Sequence, residues 1–164
     1  FVCEALENSR KAKLTVTYAL LRKPFKENLF YLEWLLADPS GFLSVFESGD
    51  IHQLALSKTF SPEKKKEIIR QAMDKTALKR WIDPEFIYEL RYDKSAEFGF
   101  EGAWQKANHL ITTFKFLETE RKNFNFIFSD LEAKDSQWSY LYFFLPVLLF
   151  HATQVVEALV KTFA

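Results

Sequence analysis

The chain has 164 residues, and its 22 basic residues balance its 22 acidic ones, so the formal net charge is zero. Binding to a nucleic-acid backbone draws on a surplus of lysine and arginine, so this composition disfavours nucleic acid as a partner. The 18 phenylalanines, against only 4 glycines and 5 prolines, exclude disorder and are typical of helices around an aromatic core. A single cysteine, Cys3, excludes an intramolecular disulfide and favours a cytoplasmic protein.

The organisation of the chain is predicted from its ends and from its lack of linkers. It begins at Phe1, and its one methionine is Met73. We therefore expect it to be part of a longer chain. A length of this order suits one domain, and no repeat or linker divides it, so the sequence predicts a single helical domain over 1–164.

Apolar residues at helical spacing dominate the first third of the chain. They predict a first helix over 2–21, after which Pro24 favours the start of a second helix that runs to residue 37. This second helix is apolar almost all round, which is typical of a helix at the centre of a core. Shorter helices are predicted over 41–47 and 51–57.

Two later helices share one start signal, in which a capping residue precedes a proline and an acid. Ser61, Pro62 and Glu63 open a helix that reaches about residue 80. Asp83 begins the same pattern, and the helix after it ends at about residue 91. The polar stretch that follows is predicted as a loop, and a further helix as covering about 102–111.

The period of the apolar residues changes between residues 112 and 128. Phe114 and Phe116 alternate with polar residues in one run, and Phe124 and Phe126 do so in the next. Period two in adjacent runs predicts a β-hairpin at about 112–128. The predicted fold class is therefore mainly α, a multi-helix, bundle-like single domain with one late β-hairpin.

The last predicted element is a long helix over 137–163 that contains Pro146. Its unbroken apolar run, 140–150, has 11 residues, whereas a membrane span needs roughly 20. We therefore expect a buried core helix and no membrane partner.

Metal and cofactor sites are not indicated by any motif. The three histidines are far apart in the sequence, and Cys3 has no second cysteine to pair with, so we predict no metal site. So few glycines leave no phosphate-binding loop, so we expect no nucleotide cofactor. No arginine precedes a histidine at the spacing that some helical ribonucleases use. These absences favour a protein that is not an enzyme.

A basic cluster is the first candidate site. Arg22, Lys23 and Lys26 stand at the predicted start of the second helix. The N–H groups at a helix start favour anions, so these three residues are predicted to bind an anion or an acidic partner.

Charged residues inside apolar stretches are the second candidate. Glu33 lies between Leu32 and Trp34, and His109 precedes Leu110. A charge removed from water must be paired or must shift its pKa, and such groups can mark catalytic sites. His109 and Glu33 are therefore candidate catalytic residues. A structural alternative for Glu33 is an ion pair with Arg10 or Arg22.

Three functions remain open. The first is a non-catalytic interaction or scaffold domain of a larger bacterial protein, in which the aromatic excess supplies an interface with a protein partner or a second copy. The second is an enzyme that acts on phosphorylated ligands or nucleic acid, with Arg22 and His109 in a basic cleft. The third is a sensor that holds a small apolar ligand beside Trp34 and Trp104.

Overall fold

A computed structural model of the chain describes residues 1–50, 52–55, 59–113, 118–119, 121–122, 124–125 and 131–163. The described residues are mainly helical, as the sequence predicts. The α-helices are α1 (Val2–Arg10), α2 (Leu14–Arg22), α3 (Leu29–Ala37), α4 (Pro39–Ser48), α5 (Pro62–Asp74), α6 (Pro84–Tyr92), α7 (Phe100–Asn108) and α8 (Leu131–Phe163). A π-helical segment, Lys23–Asn28, joins α2 to α3, and a 3-10 helix, Ala77–Arg80, follows α5.

Contacts within the chain group its residues into two compact units. Unit 1 consists of Phe1–Lys26 and Glu89–Val147, and unit 2 consists of Glu27–Tyr88 and Leu148–Ala164. Each unit has its own buried apolar side chains. Our prediction of one domain over 1–164 stays a prediction.

Unit 1 is centred on aromatic side chains from α2, α7 and α8. Phe100 stacks on Trp104 with ring centroids 5.4 Å apart, and the ring of Tyr140 meets Phe100 edge-on at 5.1 Å. Tyr18, from α2, lies 6.3 Å from Phe100 and donates its hydroxyl hydrogen to the Gln137 carbonyl. The aromatic core expected from the composition is therefore present in this unit.

Unit 2 packs α3 against α5 around a second aromatic group. Phe60 meets both Phe30 and Trp34 edge-on, each with ring centroids 5.0 Å apart. Ile69 and Met73, from α5, are fully buried. The prediction that α3 occupies a core is confirmed for these side chains.

The two proline start signals are confirmed by their hydrogen bonds. The hydroxyl of Ser61 accepts from the N–H of Lys64 at 3.2 Å, and a carboxylate oxygen of Asp83 accepts from the N–H of Glu85 at 2.9 Å. Each cap satisfies a donor that a helix start leaves without an intrahelical acceptor. Helix caps of this kind can be predicted from the sequence, because the residues that form them are neighbours in the chain.

The predicted first helix over 2–21 is interrupted after Arg10. Ala12 has a φ of 58°, and its N–H donates to the Ser9 carbonyl, while Lys13 donates to Asn8. A residue in the left-handed conformation closes a helix by such backward bonds. The apolar spacing therefore belongs to two helices, α1 and α2.

The predicted helix start at Pro24 is wrong, because the chain stays helical from Leu14 to Ala37. A proline lacks an N–H and its ring crowds the preceding turn. Here the residues around it adopt the wider π-helical turn, a form that is often found at functional sites. Pro24 therefore provides no new helix N-terminus for an anion.

The predicted β-hairpin at about 112–128 is also wrong. The described residues contain no β-strand, and the rest of the two predicted strands, namely 114–117, 123 and 126–128, lies outside the described residues. The N–H of Thr119 donates to the Thr112 carbonyl, and the Asn125 side chain donates to the His109 carbonyl. Side chains of this type compete with strand ladders for backbone groups, and an isolated two-stranded hairpin is marginal in water.

The last helix, α8, is longer and more exposed than the sequence predicts. It has 33 residues and, by length and composition, could cross a membrane; it is the one such helix in the described part of the chain. Only 22% of the residues in its most apolar stretch are buried. The buried residues lie on one side of the helix, namely Leu141, Leu145, Leu148, His151, Val155 and Leu159. The opposite side of α8 is exposed.

Candidate functional site

A buried ion pair lies beside the π-helical segment in unit 1. The Lys26 ammonium is 2.5 Å from a carboxylate oxygen of Glu101, whose side chain is 1% exposed. The other oxygen of that carboxylate accepts from the Gln105 amide at 2.8 Å. Glu101 is therefore satisfied on both oxygens, and its charge is compensated inside unit 1.

The π-helical segment is fixed by side chains of α6. The fully buried Arg91 donates from Nε to the Phe25 carbonyl at 2.7 Å, and the Tyr92 hydroxyl donates to the Lys26 carbonyl at 2.7 Å. Arg91 also donates to the Tyr92 hydroxyl at 3.0 Å. These bonds hold the backbone that carries Lys26.

Positive charge is concentrated around Lys26. Burial lowers the pKa of Lys26, and Glu101 opposes that shift because it favours the charged form. The nearby charges of Arg22 and Lys94 lower the pKa further. Arg22 and Lys94 therefore lie close to Lys26 in unit 1.

A cleft of about 650 Å³ opens next to this cluster. One wall is the face of α7 that carries Gly102, Ala103 and Lys106, and a second wall is the loop that carries Lys94. The rings of Tyr18 and Tyr140 also line the cleft, as do Ser136 and Gln137 of α8. Clefts of roughly 300–1,000 Å³ are typical of sites for small organic molecules.

The hydroxyl groups of both tyrosines are already hydrogen-bonded within the protein, so only their rings are available to the cleft. The Tyr18 hydroxyl donates to the Gln137 carbonyl, and the Tyr140 hydroxyl donates to the Phe98 carbonyl, each at 2.7 Å. Burial raises the pKa of both phenols. They stay neutral at physiological pH and supply an apolar wall.

The three residues predicted to bind an anion have different surroundings. Lys26 is paired with Glu101, and the Lys23 ammonium lies 5.9 Å from the centre of the Phe1 ring. Arg22 is close enough to Lys26 to influence its pKa. An anion at Arg22, Lys23 and Lys26 stays a prediction. The cleft residues Lys94 and Lys106, which lie 12 residues apart in sequence, were not singled out by the sequence.

Glu33 is buried in unit 2 and contacts a histidine rather than an arginine. Its Oε1 is 2.5 Å from Nε2 of His151, and both side chains are 0% exposed. The structural alternative for Glu33 named Arg10 or Arg22, but Arg10 pairs with Glu7 on its own helix. The buried partner is His151 of α8. It lies at helical spacing from the buried Leu148 and Val155, and this spacing is the feature of the sequence that could have identified it.

His109 lies at the end of α7 and is exposed. Its N–H donates to the Gln105 carbonyl, and its own carbonyl accepts from Asn125. It does not line the cleft beside Lys26. The catalytic roles of His109 and Glu33 stay predictions, as does the enzyme hypothesis that depends on them.

The two tryptophans named for an apolar ligand lie in separate aromatic groups. Trp104 stacks on Phe100 in unit 1, and Trp34 packs against Phe42 and Phe60 in unit 2. Neither lines the cleft. The sensor hypothesis stays a prediction.

The exposed side of α8 is a second candidate surface. We define the α8 stripe as the residues that recur at helical spacing opposite the buried side: Glu132, Ser136, Ser139, Phe143, Pro146, Val147, Phe150, Gln154, Glu157 and Lys161. Phe143 and Phe150 are 74% and 50% exposed. No charged residue lies between Asp135 and Glu157. The stripe therefore has an apolar centre and charged ends.

The described residues contain no cluster of three or more histidine, cysteine or acidic side chains that could hold a metal ion. Comparison with protein-family models, with curated proteins and with solved structures finds no match.

Proposed function

We propose that this chain is a non-catalytic helical interaction domain that self-associates through the α8 stripe. The observation that carries the proposal is the exposure of Phe143 and Phe150 at the centre of this stripe. At roughly 150–250 Å² per aromatic side chain, these two rings alone expose roughly 190–310 Å². Pro146 and Val147 lie between the two rings and extend the patch towards the roughly 300–600 Å² that is often functional on a protein surface.

The order of residues along the stripe favours a second copy of the same chain as the partner. Phe143 and Phe150 lie at equal distances from a point between Pro146 and Val147, and so do Glu132 and Lys161. If two copies of α8 pair in an antiparallel manner about that point, Phe143 of one copy faces Phe150 of the other. Glu132 then faces Lys161. A two-fold interface requires this type of self-complementarity.

The spacing of the stripe supports helix pairing. Apart from the adjacent Pro146 and Val147, its members recur at intervals of three and four residues, which is the repeat by which paired helices interlock. Residues 132–161 extend over about 44 Å along the helix axis, and antiparallel alignment opposes the two helix dipoles favourably. The charged ends then fix the register, while the apolar centre supplies the attraction.

The contact is expected to be small, because one face of a single helix from each copy forms it. Interfaces that bury less than about 1,200 Å² in total are typical of transient complexes. We therefore expect a dissociation constant in the micromolar range, with monomer and dimer both present at working concentrations.

Sedimentation velocity over a range of protein concentrations tests the proposal. We expect wild-type chain to dimerise, and Phe143→Glu or Phe150→Glu to remain monomeric with unchanged helical circular dichroism. Phe46→Glu is the matched control, because Phe46 is 62% exposed on a different helix, α4, and its loss should leave dimerisation intact.

Charge reversal tests the antiparallel register. Glu132→Lys and Lys161→Glu should each weaken the dimer, because each places like charges opposite one another, and the double variant should restore it. A monomer at all concentrations would overturn the proposal. So would flotation of monomeric chain with phosphatidylcholine vesicles, since it would make a lipid surface the occupant of the stripe.

A further inference from the structure

Helix α4 of unit 2 has an apolar face that the rest of the chain leaves open. Each residue of this helix is half-buried or exposed. Leu43 and Phe46 are 43% and 62% exposed, and the half-buried Pro39 shares their side of the helix, because the three residues are spaced by four and three positions. We define the α4 face as Pro39, Leu43 and Phe46.

Contacts with the core of unit 2 hold the α4 face in place. Phe42 meets Trp34 edge-on with ring centroids 5.2 Å apart, and Phe46 stacks on Phe42 at 6.1 Å. The carboxylate of Asp38 accepts from the N–H of Gly41 at 2.9 Å and so caps the start of the helix. A partner would therefore meet a surface that is already ordered, which lowers the entropic cost of binding.

The charged residues of α4 and of its two ends are acidic. Asp38 precedes the helix, Glu47 lies one helical turn after Leu43, and Asp50 follows the helix. None of these three acids forms an ion pair in the part of the chain that the structure describes. The sequence has no lysine or arginine from residue 27 to residue 57. The surroundings of the α4 face therefore favour a positively charged partner.

Lys75 is the lysine that the structure places beside the start of α4. Its ammonium donates to the carbonyls of Leu36 and Ala37 at 2.7 and 3.1 Å, and these bonds cap the end of α3. Two of its three donors are thus in use. With Lys75 counted, the three acids of α4 still face one base, so a surplus of negative charge remains.

We propose that the α4 face docks a basic amphipathic helix of a partner protein, whose apolar residues cover Leu43 and Phe46 and whose lysines or arginines lie beside Glu47 and Asp50. Helices of this kind bind through apolar anchors three and four residues apart. The acids would repel an acidic peptide or an anionic membrane surface. The α4 face shares no residue with the α8 stripe, so this docking does not depend on self-association.

Two designed helical peptides test the charge preference. One consists of leucine and lysine, and the other has glutamate at every lysine position, so that both present the same apolar side. Fluorescence anisotropy of the labelled peptides should show saturable binding of the lysine peptide. The glutamate peptide should bind about tenfold more weakly or not at all, because it places like charges against Glu47 and Asp50.

The four glycines of the chain locate the contact. Gly41 lies within α4 and Gly49 is its C-cap, whereas Gly99 and Gly102 belong to the start of α7 in unit 1. In protein labelled with ¹⁵N-glycine, titration with the lysine peptide should shift the amide signals of Gly41 and Gly49. The signals of the two unit 1 glycines should stay unchanged.

Matched variants separate the apolar contact from the charge contact. Leu43→Ser should weaken binding of the lysine peptide about fivefold, because part of one leucine contact is lost. Val16→Ser is its control, since Val16 is 44% exposed on α2 in unit 1. Glu47→Lys should weaken binding of the lysine peptide about tenfold and strengthen that of the glutamate peptide. Glu4→Lys, at an exposed acid of α1, should change neither affinity.

Several results would overturn this docking site. The lysine peptide might fail to bind, or the two peptides might bind equally tightly, which would remove the role of the acids. Binding that is unaffected by Leu43→Ser in a variant with wild-type circular dichroism would remove the role of the apolar face. Loss of the dimer in Phe46→Glu would make a second copy the occupant of this face. Flotation with phosphatidylcholine vesicles that Leu43→Ser abolishes would make a lipid surface the occupant.

Discussion

Nε2 of His151 lies 2.5 Å from Oε1 of Glu33, and neither side chain is accessible to solvent. The two residues are 118 positions apart in the chain. Burial of a charged or strongly polar group is costly unless a partner satisfies it. This contact therefore links α3 to the second half of α8 within unit 2, and it explains how an apolar helix tolerates a glutamate.

Removal of one member of this pair should destabilise the protein strongly. We expect His151→Leu or Glu33→Leu to lower the free energy of unfolding by about 3–5 kcal/mol, because each leaves its partner buried without that contact. The double variant Glu33→Leu/His151→Leu should recover most of the loss. Urea unfolding followed by circular dichroism measures all three.

The exposed Asp135, which lies outside the α8 stripe, provides the control for this pair. Asp135→Asn, on the same helix, should change the free energy of unfolding by less than about 0.5 kcal/mol. If the two single losses were each below about 1 kcal/mol and simply additive, the two side chains would not be energetically coupled.

The pair also shows which features could be predicted from sequence. That Glu33 is buried could be anticipated, because its neighbours are apolar, and the helix starts at Ser61 and Asp83 could be found because capping is local. The partner of Glu33 could not be predicted, because a contact between residues 118 positions apart depends on the tertiary fold. Similarly, Lys106 and Lys94 become neighbours of one cleft only after α7 has folded against the preceding loop.

The wrong predictions have local physical causes. Alternating phenylalanines indicated strands, but the pattern contains no information on the polar side chains that bind the backbone between them. Pro24 indicated a helix start because proline is rarely found inside a helix, but a π-helical turn supported by Arg91 accommodates it. The apolar composition of α8 indicated burial, although composition alone does not distinguish a core helix from an interface.

Asn125 should hold the segment that follows α7. Its side chain accepts from the Thr119 hydroxyl at 2.9 Å and donates to the His109 carbonyl at 2.8 Å, and it is only 7% exposed. We expect Asn125→Ala to cost about 1–3 kcal/mol, because it leaves buried groups without partners. Amide hydrogen exchange should increase at Thr119 and stay unchanged in α5. Unchanged exchange at Thr119 would contradict this role.

Arg91 should stabilise the π-helical turn by geometry as well as by charge. Its Nε donates to the Phe25 carbonyl, an arrangement that the flexible ammonium of lysine does not reproduce. Arg91→Lys should therefore lower the free energy of unfolding by about 1.5–3 kcal/mol, the value of a hydrogen bond to a charged group.

The exposed Arg70 is the matched control for Arg91. Arg70→Lys, at a residue that pairs with Glu67 on its own helix, should cost less than about 0.5 kcal/mol. Equal losses for the two variants in urea unfolding would show that the turn does not depend on the buried guanidinium.

Alkaline pH should destabilise the protein through Tyr18 and Tyr140. Burial raises the pKa of both phenols, so the native state retains protons that the unfolded state releases near pH 10. Their contribution is complete below about pH 10 and falls as the pH rises, by up to about 1.4 kcal/mol per pH unit for each tyrosine. Lys26 acts in the opposite sense, because its lowered pKa makes stability rise with pH up to its unfolded value.

Phenylalanine variants isolate the tyrosine contribution, because Lys26 is unchanged in them. Tyr18→Phe and Tyr140→Phe should each cost about 0.5–1.5 kcal/mol at pH 7, where one hydrogen bond to a backbone carbonyl is lost. Each should also lose less stability than the wild type between pH 9 and pH 11. Urea unfolding midpoints measured across that interval test this prediction. Parallel pH profiles for the wild type and both variants would mean that neither phenol contributes to alkaline unfolding.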